Sequence, residues 1–291
     1  MQIVASRGEM ISIAREVQRG GLTIGFVPTM GALHAGHLSL MRAARAQCDT
    51  LVVSIFVNST QFGPAEDFEK YPRDLQKDAA LLTGEGVDYL FAPTVRDIYP
   101  PGSSTFITVE GLSEQLEGAS RQGHFRGVAT VVAILLNIVR PDIAFFGQKD
   151  AQQAAVLKRM VHDLAFDTRV VVLPIVREES GLALSSRNAY LSEEEKRAAT
   201  VLHRGLSLAR SAYENNERDG TRLLELVRST IAAEPLARVD YISLNDAETL
   251  EPLEHIADRP ALLSLAVYLG KTRLIDNMVL GQTEMQDAAG A

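Results

Sequence analysis

Two histidines flank a glycine in His34-Ala35-Gly36-His37, at the start of a helical pattern that directly follows an apolar run. Residues i and i+3 share a helix face. Gly36 has no side chain, so an anion can approach the backbone amides there, and the mouth of a helix favours negative charge. Each imidazole can donate to a phosphate oxygen and spread developing charge. Two histidines with the single Cys48 are too few ligands for a zinc site. The plain alternative is two surface histidines beside a helix start. A second joint, Gly147-Gln148-Lys149-Asp150, also follows an apolar run. Lys149 can reach a nucleotide phosphate, and Asp150 can cap the next helix or bind ribose or metal. The plain reading is an N-cap and an exposed lysine. In Ser185-Ser186-Arg187-Asn188, two hydroxyls and a guanidinium offer a clamp for pyrophosphate. Gly181 would give that stretch hinge freedom, and a Ser-rich turn is the alternative. Residues 121–127, Arg-Gln-Gly-His-Phe-Arg-Gly, read as a basic loop that either approaches an anion or stays exposed.

These stretches need a scaffold, and the apolar patterning predicts one. Strands are expected at 22–27, 50–57, 87–91, 142–146 and 168–173, alternating with helices at 9–19, 36–47, 75–84, 128–139 and 151–164. Strand 50–57 is nearly continuous in apolar and β-branched residues, as in a parallel strand buried on both faces. Alternating strand and helix argue for an α/β, doubly wound, Rossmann-like parallel sheet. Residues 94–127 read as irregular, with a strand expected at 105–109. Beyond 175 the pattern changes. Ser192 with Glu193, Glu194 and Glu195 marks a helix start. That helix should run to about 213 and a second over 219–233, followed by strands at 239–244, 261–268 and 272–279. The expected domains are therefore 1–175 and a smaller α+β domain at 176–291, with a disordered tail after Gly281.

Composition narrows the function. The chain has 291 residues, 46% of them hydrophobic and 23% charged, as in a soluble globular protein. No apolar run reaches membrane-span length. Met1-Gln2-Ile3-Val4 does not open a secretory signal, and one cysteine permits no internal disulfide, so a reducing cytoplasm is expected. A net charge of −8 provides no basic field for nucleic acid, while a local Lys, Arg and His cluster can still hold a small anion. Gly270-Lys271-Thr272 lacks the earlier glycine of a P-loop. No G-x-G-x-x-G follows a strand and no G-x-S-x-G is present, which argues against a dinucleotide dehydrogenase and a serine hydrolase.

Taken in order, these stretches resemble the pantothenate synthetase (pantoate–β-alanine ligase) family. The resemblance rests on Pro28-Thr29-Met30-Gly31-Ala32-Leu33-His34-Ala35-Gly36-His37, on Phe56-Val57-Asn58 with Gln61-Phe62, and on Arg121 with Gly123-His124-Phe125-Arg126-Gly127-Val128. It continues through Phe146-Gly147-Gln148-Lys149-Asp150 with Gln153 and ends at Gly181-Leu182-Ala183-Leu184-Ser185-Ser186-Arg187-Asn188. The chain departs from the family at Ser59 and Gln122, where proline is usual, and at Leu184, where methionine is usual. The resemblance implies that pantoate attacks ATP to give pantoyl adenylate and pyrophosphate, and that β-alanine then releases AMP and pantothenate. Magnesium would manage the triphosphate charge.

By the same resemblance, His34, His37, Lys149 and Arg187 are catalytic, with His37 in the position treated as a proton donor. ATP would lie on Met30, Gly31, Ala32, Leu33, His34, Ala35, Gly36 and His37, on Gly147, Gln148, Lys149 and Asp150, and on Val176, Leu184, Ser185, Ser186 and Arg187. Gln61 and Gln153 would bind pantoate, Gln61 also lying near β-alanine. The second domain would act as a lid that shields the adenylate from water, and a homodimer is implied. Two other readings stay open on residues alone. One is another nucleotidyltransferase or an aminoacyl-tRNA synthetase fragment, which shares His-x-Gly-His. The other is a non-catalytic nucleotide-binding regulator, which would bind ATP without forming AMP.

Overall fold

The computed structural model describes residues 1–64 and 66–281; the expected tail after Gly281 lies outside the described residues. The chain forms two compact units, Met1–Gly147 with Gln152–Pro174, and Gln148–Ala151 with Ile175–Ala291. In the first unit the elements run β1 (Gln2–Val4), α1 (Arg7–Arg19), β2 (Ile24–Thr29), α2 (Ala35–Gln47), β3 (Thr50–Ile55), a 3-10 turn (Ser59–Gln61), α3 (Leu75–Gly84) and β4 (Tyr89–Phe91). Two short helices, α4 (Val95–Ile98) and α5 (Glu117–Ser120), lead to α6 (His124–Val139), β5 (Ile143–Gly147), α7 (Ala151–Asp163) and β6 (Arg169–Leu173). The strands make one parallel sheet in the order β1-β4-β3-β2-β5-β6.

Successive strand residues point to opposite faces, and both faces here are apolar. Phe26, Val52 and Phe146 pack with α1, α6 and α7 through Met10, Leu135 and Leu157. Val27, Val53 and Phe145 pack with α2 and α3 through Leu40, Met41 and Leu82. Each such side chain contributes about 1.5–3 kcal/mol when fully buried. The chain leaves β2 for β3 and β4 on one side and returns to β5 on the other. The carboxyl ends of β2 and β5, at Thr29 and Gly147, therefore flank the crevice where an open α/β sheet binds ligands.

Several expectations differ from the structure in instructive ways. The strand expected to stop before Pro28 continues through Thr29, because Thr29 O accepts from Phe56 N–H and Thr29 Oγ1 donates to Ser54 O at 2.8 Å. The strand expected at 105–109 does not form. Ile107 N–H instead donates to Thr130 Oγ1 of α6, and the Arg126 guanidinium sits 3.9 Å over the Phe106 ring. Helix α6 starts at His124, four residues earlier than expected. Gly127 fits its first turn since a Cβ there would lie 2.5 Å from Thr60 O. The short edge strand β1, paired to β4 only over Gln2–Val4, carries too little pattern to be read in advance.

The second unit is α+β. A 3-10 turn (Ser186–Tyr190) leads into α8 (Glu193–Glu214) and α9 (Gly220–Ala232), then β7 (Ala237–Asp246), β8 (Ala261–Leu269) and β9 (Thr272–Leu280), an antiparallel sheet in that order. Helix α8 begins with the expected device: Ser192 Oγ accepts from Glu195 N–H, and Glu195 Oε2 accepts from Ser192 N–H at 2.8 Å. Leu202 and Leu206 of α8, Val227 of α9 and Leu263 and Leu265 of β8 share one core.

Candidate functional site

The joint between β2 and α2 is built to hold its shape. Gly31 has φ +81°, and a Cβ there would lie 2.9 Å from Asp78 Oδ2 and 3.1 Å from Ile55 Cγ2. Ala32 also takes a left-handed φ, +52°, which costs a non-glycine residue on the order of 1 kcal/mol. A carboxylate holds it there. Asp78, buried on α3, accepts from Ala32 N–H and Leu33 N–H, both at 2.9 Å. Thr29 Oγ1 accepts from Gly31 N–H at 3.1 Å. Sequence reasoning missed Asp78. The signal was a lone acid at the start of an apolar helix, 45 residues from its partner Leu33.

The two histidines close this joint as a capping box. His34 Nδ1 accepts from Gly36 N–H at 3.2 Å, and His37 Nδ1 accepts from His34 N–H at 3.4 Å. Their rings lie 4.1 Å apart. With Nδ1 accepting, each neutral ring carries its proton on Nε2.

Gln61 comes to Met30, as its Nε2 donates to Met30 Sδ at 3.2 Å. Its Oε1 accepts from Asn58 Nδ2 at 3.0 Å, and Asn58 Nδ2 also reaches Gly127 O at 3.2 Å. Asn58 Oδ1 accepts from Tyr99 OH and Thr60 Oγ1, both at 2.9 Å. The backbone of Gln61 is held as well, since His124 Nδ1–H donates to Gln61 O at 2.8 Å. Burial, with help from the Arg121 charge, pushes His124 down to about 4, so the ring is neutral. Two side chains of the 121–127 stretch, Arg121 and His124, thus have partners within the protein. Arg121 binds both oxygens of Glu66 at 2.7 Å and contacts His124 Nε2 at 3.0 Å.

Of the adjacent glutamines on α7, Gln152 is structural. Its Oε1 accepts from Glu117 N–H at 2.9 Å, and its Nε2 donates to Leu112 O and Gln115 O. Gln153 is half-buried on the next position, and Gly147 ends β5.

The second unit carries the other candidates. Gln148, Lys149 and Asp150 form a 3-10 turn in which Lys149 is half-buried and Asp150 exposed. Val176 and Leu184 face each other across a small hairpin, Leu184 N–H donating to Val176 O at 3.0 Å. Gly181, with φ +87°, makes the tip. Its N–H donates to Glu178 O, its carbonyl accepts from Arg177 Nη1, and a Cβ would lie 2.4 Å from His203 Nδ1. This glycine fills a tight turn against His203. Arg177 in turn grips buried Asp276 through both oxygens, at 2.7 and 2.9 Å. Ser185 Oγ accepts from Arg187 N–H at 3.3 Å, and buried Asn188 fastens the turn through Nδ2 to Ala183 O at 3.0 Å. Ser185, Ser186 and Arg187 are half-buried.

A family model described as pantoate–β-alanine ligase matches residues 2–279. The chain belongs to the pantoate–β-alanine ligase family. Pantothenate synthetase of Heliobacterium modesticaldum is 58% identical over 280 residues, spanning 96% of this chain and 99% of the relative. That of Acidobacterium capsulatum is 60% identical over 264 residues, spanning 91% and 88%. Among solved structures, pantothenate synthetase of Thermus thermophilus superposes with a TM-score of 0.88 at 46% identity, over 96% of this chain and 99% of that one. The pantoate–β-alanine ligase of Francisella tularensis, complexed with Beta-gamma ATP and Beta-alanine, superposes with a TM-score of 0.78 at 37% identity, over 96% and 97%. The ligase fold therefore runs through both units of this chain.

Proposed function

We propose that the chain makes pantothenate from pantoate and β-alanine with ATP, in two steps. A pantoate carboxylate oxygen attacks the α-phosphorus, and the bond from that phosphorus to the α,β-bridging oxygen breaks, releasing pyrophosphate. The β-alanine amine then attacks the acyl carbon of pantoyl adenylate, the acyl–oxygen bond breaks, AMP leaves and the nitrogen loses a proton. The observation that carries this reading is the β2–α2 joint. Two imidazoles stand side by side at a helix mouth, at the sheet's switch point, each with Nδ1 turned to a backbone N–H. The Francisella tularensis ligase, complexed with Beta-gamma ATP and Beta-alanine, supports the same two ligands here.

In this reading His34 and His37 donate through Nε2 to ATP phosphates, and His37 stabilises the departing pyrophosphate or hands it a proton. Residues 30–37, 147–150, Val176 and Leu184 hold the nucleotide. Gln61 and Gln153 hydrogen-bond pantoate, and Gln61 also serves β-alanine. Lys149, Ser185, Ser186 and Arg187 bind phosphate oxygens, where cationic charge meets charge that grows in the transition state. Magnesium, bound with the triphosphate, would neutralise part of its charge. Among the described residues no three His, Cys, Asp or Glu side chains group as a metal site, and magnesium commonly binds through substrate phosphates and water. Among the described residues no helix is long and apolar enough to cross a membrane. We place the enzyme in the cytoplasm, with small-molecule substrates and no nucleic acid, as a homodimer; light scattering at twice the 31.7 kDa chain mass checks the last point. The decisive assay supplies pantoate, β-alanine and ATP. AMP and pantothenate should appear in equal amounts, and ATP binding without AMP would overturn the reading.

A further inference from the structure

Asn277 has no place in the chemistry above, yet it is buried on β9 and fully used. Its Nδ2 donates to two successive backbone carbonyls, Gln148 O at 2.9 Å and Lys149 O at 3.0 Å. Its Oδ1 accepts from Gln148 Nε2 at 3.0 Å. The two carbonyls belong to the peptide groups on either side of the Lys149 Cα. Each peptide group is planar, so fixing both carbonyls fixes the two backbone torsions of Lys149 and the direction in which its side chain departs. Asn277 is itself fixed. It pairs with Ser264 in the β8–β9 ladder, and its neighbour Asp276 is locked by Arg177.

We infer that Asn277 is a positioning residue for Lys149, acting across 128 positions of sequence to hold the backbone from which the phosphate-binding ammonium extends. The inference rests on the assignment of Lys149 above. An amide is the side chain that fits: it offers two donors for two carbonyls and one acceptor for Gln148. Aspartate has the same shape and cannot donate; alanine supplies nothing.

A double-mutant cycle on the full chain tests this, with kcat and KM measured for the parent, Asn277→Ala, Lys149→Ala and the double variant. With Lys149 present, Asn277→Ala should lower kcat about tenfold or more, as expected when a catalytic group is misplaced, and leave the pantoate KM within about twofold. In the Lys149→Ala background the same substitution should lower kcat less than about twofold. Asn277→Asp keeps the size of the side chain and its acceptor, and should repeat the result if the alanine variant folds poorly. A merely structural residue would lower activity by the same factor in both backgrounds, and that outcome, or an Asn277→Asp enzyme with parental kcat, overturns the inference while leaving the Lys149 assignment intact. If Lys149→Ala alone keeps kcat within a few-fold of the parent, the assignment itself fails first.

Discussion

The loop at residues 30–37 and the turn at Gln148–Asp150 are held by opposite chemistry. The first turns backbone N–H groups towards a buried acceptor, the Asp78 carboxylate. The second turns backbone carbonyls towards a buried donor, the Asn277 amide. Hydrogen bonds to a charged partner are worth about 1.5–3 kcal/mol and those to a neutral one about 0.5–1.5. The first loop also has more to resist, with Gly31 and Ala32 at left-handed φ. The stronger anchor sits under the more strained backbone.

Substitutions can break or sharpen that contrast. The largest effect belongs to the group the second turn presents. Lys149→Ala should lower kcat by at least ~2.7 kcal/mol of transition-state stabilisation, by analogy with losing one oxyanion donor; steady-state kinetics reads it directly. Next comes the anchor of the first loop. Asp78→Asn brings an amide N–H against a backbone N–H, and should destabilise the fold by about 1–3 kcal/mol as well as reduce activity. Denaturant unfolding measures the first effect. An Asp78→Asn protein as stable as its parent would show that the carboxylate is not what holds residues 31–33.

A third test concerns the support behind Gln61. Burial lowers the native His124 pKa from 6.5 to about 4. The unfolded chain therefore takes up a proton in that window that the native chain refuses. The stability that neutral His124 provides is complete above pH 6.5 and drains away as pH falls towards 4, by up to about 1.4 kcal/mol per pH unit. The melting temperature of His124→Asn should fall less steeply than the parent's between those values. Parallel curves would contradict the buried neutral ring.

The smallest effect is a gain. Ser59 opens its 3-10 turn, and Asn58 before it is extended at φ −86°, ψ 106°, which suits a residue preceding proline. Ser59→Pro, the residue usual in the family, should stabilise by roughly 0.4–1 kcal/mol, read as a small rise in Tm with kcat unchanged.

These two regions also show what a sequence discloses. The candidate residues of the first joint were legible because short-range rules place them: a strand, a turn with glycine, then a helix mouth with His34 and His37. The parallel sheet was legible for the same reason, through the continuous apolar runs of β3 and β5. Their supports were not. Asp78 and Asn277 sit within ordinary helix and strand patterns, and nothing local marks their partners at residues 32, 33, 148 and 149. Gln152 and Gln153 make the same point, since only packing tells the buried staple from its half-buried neighbour. Residues 105–109 read as a strand because Phe106, Ile107 and Val109 are apolar or aromatic, yet Phe106 is exposed and Ile107 N–H is bound to Thr130 of α6 and not to a neighbouring strand.

The central claim is that this site forms an adenylate from pantoate before any amine takes part. Isotope exchange between pyrophosphate and ATP, with pantoate present and β-alanine absent, tests it most directly. The account predicts exchange that requires pantoate and collapses in Lys149→Ala. Exchange supported by an amino acid or a phosphate ester and not by pantoate, or exchange that appears only when β-alanine is added, would contradict it.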